Sequence, residues 1–155
     1  MLRRGDVLGL EVITLDDGRQ VGVVEEVAVD REAGVVKGLI VRAPVGQRQT
    51  FIPFGEVHAF GQDAVTLANG CRPRPLAAET QLDSLADLLG KPVLSSAGVD
   101  LGTIDDLCFD EHTGAILGYQ VSGGLLQDLL EGKELLPFSS RLIYGEDAVI
   151  VRDLE

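Results

Sequence analysis

The chain has 155 residues, 45% of them hydrophobic and 25% charged, which leaves room for one ordinary domain or two small ones and excludes wholesale disorder. Its net charge of −12 is lopsided: residues 1–78 carry 9 basic and 10 acidic side chains, residues 79–155 carry 4 and 15. An acidic half of that kind repels phosphate backbones and anionic lipid surfaces, leaving a basic protein partner or simple solubility as its meaning.

No apolar run reaches the roughly 18 residues of a spanning helix, and the opening stretch MLRRGDVLGLEV meets charge again at Asp6 before any signal-peptide core can form. The expected location is therefore the cytoplasm, with no direct membrane insertion. Glu11 to Leu15 is strand-like, and Asp16-Asp17-Gly18 is a turn signal. Val21 to Asp30 is the next segment, with apolar residues at 21, 23, 27 and 29 in period two. Asp30-Arg31-Glu32-Ala33-Gly34 is a hairpin connection, and Val35 to Arg42 is the returning strand. Thr50 to Pro53, Val57 to Phe60 and Ala64 to Leu67 are shorter strands, the last two joined by Gly61-Gln62-Asp63. Next comes NGCRPRPLAAETQLDS, Asn69 to Ser84, whose Pro73 and Pro75 stiffen its first part. Ser84 to Gly90 predicts a helical turn or two, with Asp83 or Ser84 as N-cap.

From there the sequence repeats. Leu8-Gly9 aligns with Leu89-Gly90, and an offset of 80 pairs Gly18, Gly22, Asp30, Gly34, Gly38 and Val41 with Gly98, Gly102, Asp110, Gly114, Gly118 and Val121. An offset of 84 then pairs Pro53-Phe54 with Pro137-Phe138, and Gly61 to Val65 with Gly145 to Val149. Turn residues recurring in one order indicate an internal duplication. The added residues fall in SGGLLQDLLEGKE, Ser122 to Glu134, where Leu125, Leu126, Leu129 and Leu130 predict a short amphipathic helix. The first copy has only Ala43 to Gln49 there. Six short strands per copy argue an all-β fold, a small barrel or strongly bent sheet in each half.

The residues just quoted resemble the PRC-barrel family, named after the photosynthetic reaction centre. Its pattern of a Leu-Gly start, an Asp-Gly turn, a Gly-x-Val strand, a Pro-Phe element and a closing Gly-x-Asp-x-Val hairpin is matched by Leu8-Gly9, Asp17-Gly18, Gly22 to Asp30, Pro53-Phe54 and Gly61 to Val65. The second set is Leu89-Gly90, Gly98, Gly102 to Asp110, Pro137-Phe138 and Gly145 to Val149. The resemblance implies two tandem six-stranded PRC-type barrels, at 1–70 and 84–155, with 71–83 as linker. It also implies interaction modules without known catalysis, as in the cytoplasmic part of the reaction-centre H subunit and the C-terminal part of a ribosome maturation factor. The chain shows neither the membrane helix of the first nor the N-terminal domain of the second, so neither role carries over.

Candidate chemistry is sparse. Glu25-Glu26 and Asp105-Asp106 recur, yet strand neighbours point to opposite faces, so one of each pair is expected outward and the other towards the barrel wall or an end. Asp30 and Asp110 each open a connection closed by Gly34 or Gly114 and are expected to cap the turn through backbone N–H groups. His58 and His112 occupy non-equivalent positions, Cys71 and Cys108 form no C-x-x-C motif, and no metal or cofactor is expected. Two surfaces compete as partner sites: Leu125, Leu126, Leu129 and Leu130, which alternatively cover the barrel end, and the junction between barrels. The expectation is a non-enzymatic adaptor or scaffold with an unidentified protein partner, no nucleic acid, and homo-oligomerisation left open. The competing readings are an enzyme or small-ligand binder using a cleft between the barrels, with Asp105, Asp106 and His112 as its polar cluster, and a peripheral subunit of a membrane complex of photosynthetic type.

Overall fold

The computed structural model describes residues 1–76, 85–123, 135–139 and 141–152. The chain divides into two compact units, Met1–Asp83 with Asp110–Ala115, and Ser84–Phe109 with Ile116–Glu155. Among the described residues, strands are the dominant regular structure of both. Among the described residues no helix is long and apolar enough to cross a membrane.

The first unit opens with β1 (Leu2–Arg3) and a single-turn helix α1 (Arg4–Val7), then β2 (Glu11–Thr14), β3 (Gln20–Asp30), β4 (Val35–Arg42), β5 (Gln49–Pro53), β6 (Val57–Phe60), β7 (Ala64–Leu67) and β8 (Arg74–Pro75). Its sheet runs β6-β7-β2-β3-β4-β5-β8. The β2·β7 pair is parallel, with Glu11 facing Ala64 and Thr14 facing Leu67, and its other neighbours are antiparallel. Helix α1 has no counterpart among the elements expected from the sequence, because Gly5 and Asp6 have little helix propensity. It forms because the Asp6 carboxylate accepts the Arg3 backbone N–H at 3.0 Å, satisfying an otherwise orphan donor. Strand β8 is a seventh strand beyond the six expected, pairing Arg74 with Phe51 and Pro75 with Thr50. Pro75 has no N–H to contribute, which suits it to an edge, and Arg74 donates to Glu56 at 2.6 Å.

The second unit contains β9 (Pro92–Ser95), β10 (Asp100–Phe109), β11 (Ile116–Ser122), β12 (Leu135–Pro137), β13 (Leu142–Tyr144) and β14 (Val149–Val151). They run β12-β11-β10-β9-β14-β13, with β9·β14 the parallel pair. Strand for strand this is the order found in the first unit. Leu85 to Gly90, where a helical turn or two was expected, forms successive turns: both Leu88 and Leu89 donate to the Leu85 carbonyl, at 3.0 and 3.1 Å, the second bond closing one turn of helical type. Gly90 stops the run with φ of 88°.

Both sheets curl around apolar interiors. Val12, Leu39, Val41, Ile52, Val65 and Leu67 are fully buried in the first, and Val93, Leu107, Phe109, Tyr119, Val121 and Val149 in the second. Each such side chain contributes about 1.5–3 kcal/mol relative to exposure. The curl has identifiable causes. The β3·β4 pair slips register at Glu25 of β3 and again at Lys37 of β4. The β10·β11 pair does the same at Asp105 of β10 and at Leu117 of β11. Each bulge bends the strand that carries it and increases its twist. Gly38 and Gly118 then let the next strand cross at close range: they face Pro53 and Pro137, and a methyl group on either would fall onto the carbonyl oxygen of Ile52 or Leu136.

Candidate functional site

The repeated acidic pair stands at the first bulge of β3 and of β10. There two residues oppose one, which breaks the strict alternation assumed from the sequence. Neither carboxylate of either pair is buried: Glu25, Glu26 and Asp106 are half-buried and Asp105 is exposed. The expected split, one member outward and the other towards the wall or an end, holds for the second pair, with Asp105 exposed and Asp106 half-buried, and fails for the first, where both glutamates are half-buried. The core-facing register resumes only at Val27 and Leu107.

What these carboxylates hold is their own surroundings. Glu26 takes a bidentate clamp from Arg4, Nε to Oε1 at 2.5 Å and Nη2 to Oε2 at 2.7 Å, and Oε1 also accepts the Val27 N–H at 2.9 Å. Asp106 accepts the Leu107 N–H at 2.7 Å in the same manner. Glu25 is held by Arg42 and by the Gln49 amide. The two side chains of the Arg4–Glu26 pair are only 17% and 29% exposed, so removing one leaves the other partly desolvated and unpaired. Arg4→Ala is expected to destabilise the protein by about 2 kcal/mol, between an exposed pair and a fully buried one. Urea unfolding of single variants and of the double variant with Glu26→Ala checks this, with non-additivity as the signature of the pair.

The hairpin acids behave similarly. Asp30 Oδ1 accepts the Ala33 N–H at 3.1 Å. Asp110 Oδ1 accepts those of His112 at 2.7 Å and Thr113 at 3.1 Å. Gly34 and Gly114 close the turns with φ of 72° and 79°, a region an L side chain rarely adopts. The backbone donors of His112 and Thr113 hold the Asp110 carboxyl below its ordinary range. A carboxyl depressed in the folded state stabilises above its unfolded pKa of about 3.9 and loses that contribution as pH falls. Asp110→Asn should lower the thermal midpoint at neutral pH, and the gap from the parent should close below the carboxylate range. A midpoint difference constant with pH would contradict this.

A second pair of polar residues carries no obvious motif in the sequence. Thr14 Oγ1 and Ser95 Oγ are the buried polar side chains among the described residues, and they accept the N–H of Arg19 at 3.1 Å and of Val99 at 3.0 Å. The Thr14 hydroxyl also donates to Asp17, and with the Arg19 N–H it lowers that carboxyl's pKa. The available signal was a hydroxyl residue at the end of a strand entering a Gly-containing turn.

His58 is exposed on β6 and His112 is exposed in its turn. Among the described residues no three of His, Cys, Asp and Glu are grouped to hold a metal ion. Cys71 and Cys108 are buried and form no disulfide, and burial, with the Glu56 carboxylate beside it, pushes the Cys71 thiol up to about 11. A half-open cavity of about 420 Å³ in the first unit is lined by Leu2, Val7, Leu10 and Phe60 together with Asp6 and Glu111, and the Asp6 carboxylate already serves Arg3. Leu125, Leu126, Leu129 and Leu130 lie outside the described residues. No curated protein matches the chain. Residues 1–69 and 81–155 both match the family model of the PRC-barrel domain, and the chain belongs to the PRC-barrel family.

Proposed function

We propose that this PRC-barrel protein acts without catalysis, as an adaptor or scaffold built from one six-stranded barrel written twice, at 1–70 and 84–155. One observation carries the reading: polar side chains at recurring positions are spent on neighbouring backbone. Glu26 and Asp106 hold the adjoining N–H, Asp30 and Asp110 hold their hairpins, and Thr14 and Ser95 hold their turns. Chemistry would need such groups turned towards a substrate. The reading is also the common one for PRC barrels, including those of the reaction-centre H subunit and the ribosome maturation factor. A cytoplasmic protein partner with a basic face suits the acidic half of the chain.

The test is crosslinking and affinity capture with the tagged full chain in its own cells, alongside a variant carrying Leu126→Asp and Leu129→Asp. The adaptor reading expects one protein in stoichiometric amount, weaker capture by the variant, and unchanged circular dichroism. Absence of any stoichiometric protein partner would sink the adaptor reading. Unchanged capture, or a variant that unfolds, would remove the leucines as the docking surface.

A further inference from the structure

Asn69 is the one asparagine of the chain and is followed directly by Gly70. The two occupy the centre of a turn after β7, closed by the Cys71 N–H donating to the Ala68 carbonyl at 3.1 Å. Both are exposed to solvent. Gly70 has φ of 80°, and nothing lies within 4 Å of the place where its Cβ would stand. Its N–H donates to Oδ2 of Asp16 at 3.3 Å, and the same oxygen lies 3.7 Å from the Arg72 guanidinium.

A side-chain amide followed by glycine presents an electrophilic carbon to the next backbone nitrogen, with no side chain to crowd the five-membered ring that closes. We propose that Asn69 is a site of spontaneous deamidation in the folded protein, with Asp16 placed to take the proton from Gly70. The Gly70 nitrogen bonds to Cγ of Asn69 as Asp16 accepts its hydrogen. The Cγ–Nδ2 bond then breaks, and ammonia leaves carrying that proton. Water adds to either carbonyl of the resulting succinimide and opens it to an aspartyl or an isoaspartyl residue. The reaction needs no oxidant, metal or second protein, and it adds one negative charge beside Asp16 and Arg72.

Asp17-Gly18 is an internal control, since an aspartyl-glycine pair can close the same ring. There the Asp17 carboxylate is held by the Thr14 hydroxyl and the Arg19 N–H, and the Gly18 N–H is tied to the Thr14 carbonyl at 2.9 Å. The geometry leaves that site restrained and Asn69 poised.

The experiment ages the folded full chain in neutral buffer at physiological temperature and tracks both sites by peptide mass mapping and isoaspartate detection. The expected result is progressive conversion of Asn69 to a mixture of aspartyl and isoaspartyl products, with Asp17 unisomerised. Asn69→Gln should abolish conversion, and Asp16→Ala should slow it several-fold while the thermal midpoint confirms a folded chain. Conversion seen only after unfolding in denaturant would overturn the proposal. Unchanged or faster conversion in Asp16→Ala would overturn the role given to Asp16.

Discussion

Gly38→Ala is expected to destabilise the first unit by about 3 kcal/mol or more, the upper end of what an overpacked site costs. The added methyl falls onto the carbonyl oxygen of Ile52 and within 2.8 Å of the Phe51 ring. The ring can rotate aside, whereas the oxygen belongs to β5, whose ladder with β4 extends on to Arg42 and Gln49. Relief therefore requires the strands to part. Gly118→Ala should do the same in the second unit, because its methyl meets the Leu136 carbonyl group and stands 3.1 Å from the Pro137 backbone. Gly55→Ala is the control, with open space around its Cβ position, and should stay within about 0.5 kcal/mol of the parent. Urea unfolding of the three variants checks the contrast; a mild Gly38→Ala would show that β5 is free to slide.

The second large effect is expected at Tyr119, whose side chain is fully buried. Its hydroxyl shares a hydrogen bond of 2.8 Å with that of Tyr144. The Tyr144 ring meets it edge-on at 6.3 Å and 78°, and Phe138 packs at 6.3 Å. Tyr119→Ala should cost about 3–5 kcal/mol, as deletion of a buried aromatic does, enough to unfold a marginal unit. Tyr119→Phe keeps the ring and removes one hydrogen-bond partner, so about 1 kcal/mol is expected. The ratio of the two losses, read from denaturation midpoints, separates ring packing from the hydroxyl pair. Equal losses would mean that the hydroxyl contact, not the ring, dominates.

The strands were the legible part of the fold. Val35–Arg42, Val57–Phe60 and Ala64–Leu67 have the same limits in sequence and structure, because their ends are marked by Gly, Asp and Pro acting locally. The bulges are hidden by an assumption of strict alternation through Glu25-Glu26. Their mark lies immediately C-terminal to each acidic pair, where Val27, Ala28 and Val29 are buried in succession, as are Leu107, Cys108 and Phe109. Three consecutive buried residues do not fit a regular half-buried strand. Strand β8 and the Arg4–Glu26 clamp were illegible for another reason. Each joins residues more than twenty positions apart, and no local pattern encodes such a pairing. Of the candidate site, the hairpin acids could be read from turn chemistry, whereas a docking surface depends on a partner that composition does not name.

The parallel pairs β2·β7 and β9·β14 have a consequence for how the protein is made. Each joins an early strand of its unit to one more than fifty residues later, as with Glu11 and Ala64 or Val93 and Val149. On the ribosome, β2 to β5 can zip together as hairpins while synthesis proceeds, yet β2 keeps one exposed edge until β7 emerges. Such late, long-range closure favours slow folding and leaves a strand edge available for mispairing with a neighbouring nascent chain. The rate at which β7 is delivered, rather than the stability of the finished sheet, then governs how much of the newly made protein escapes aggregation.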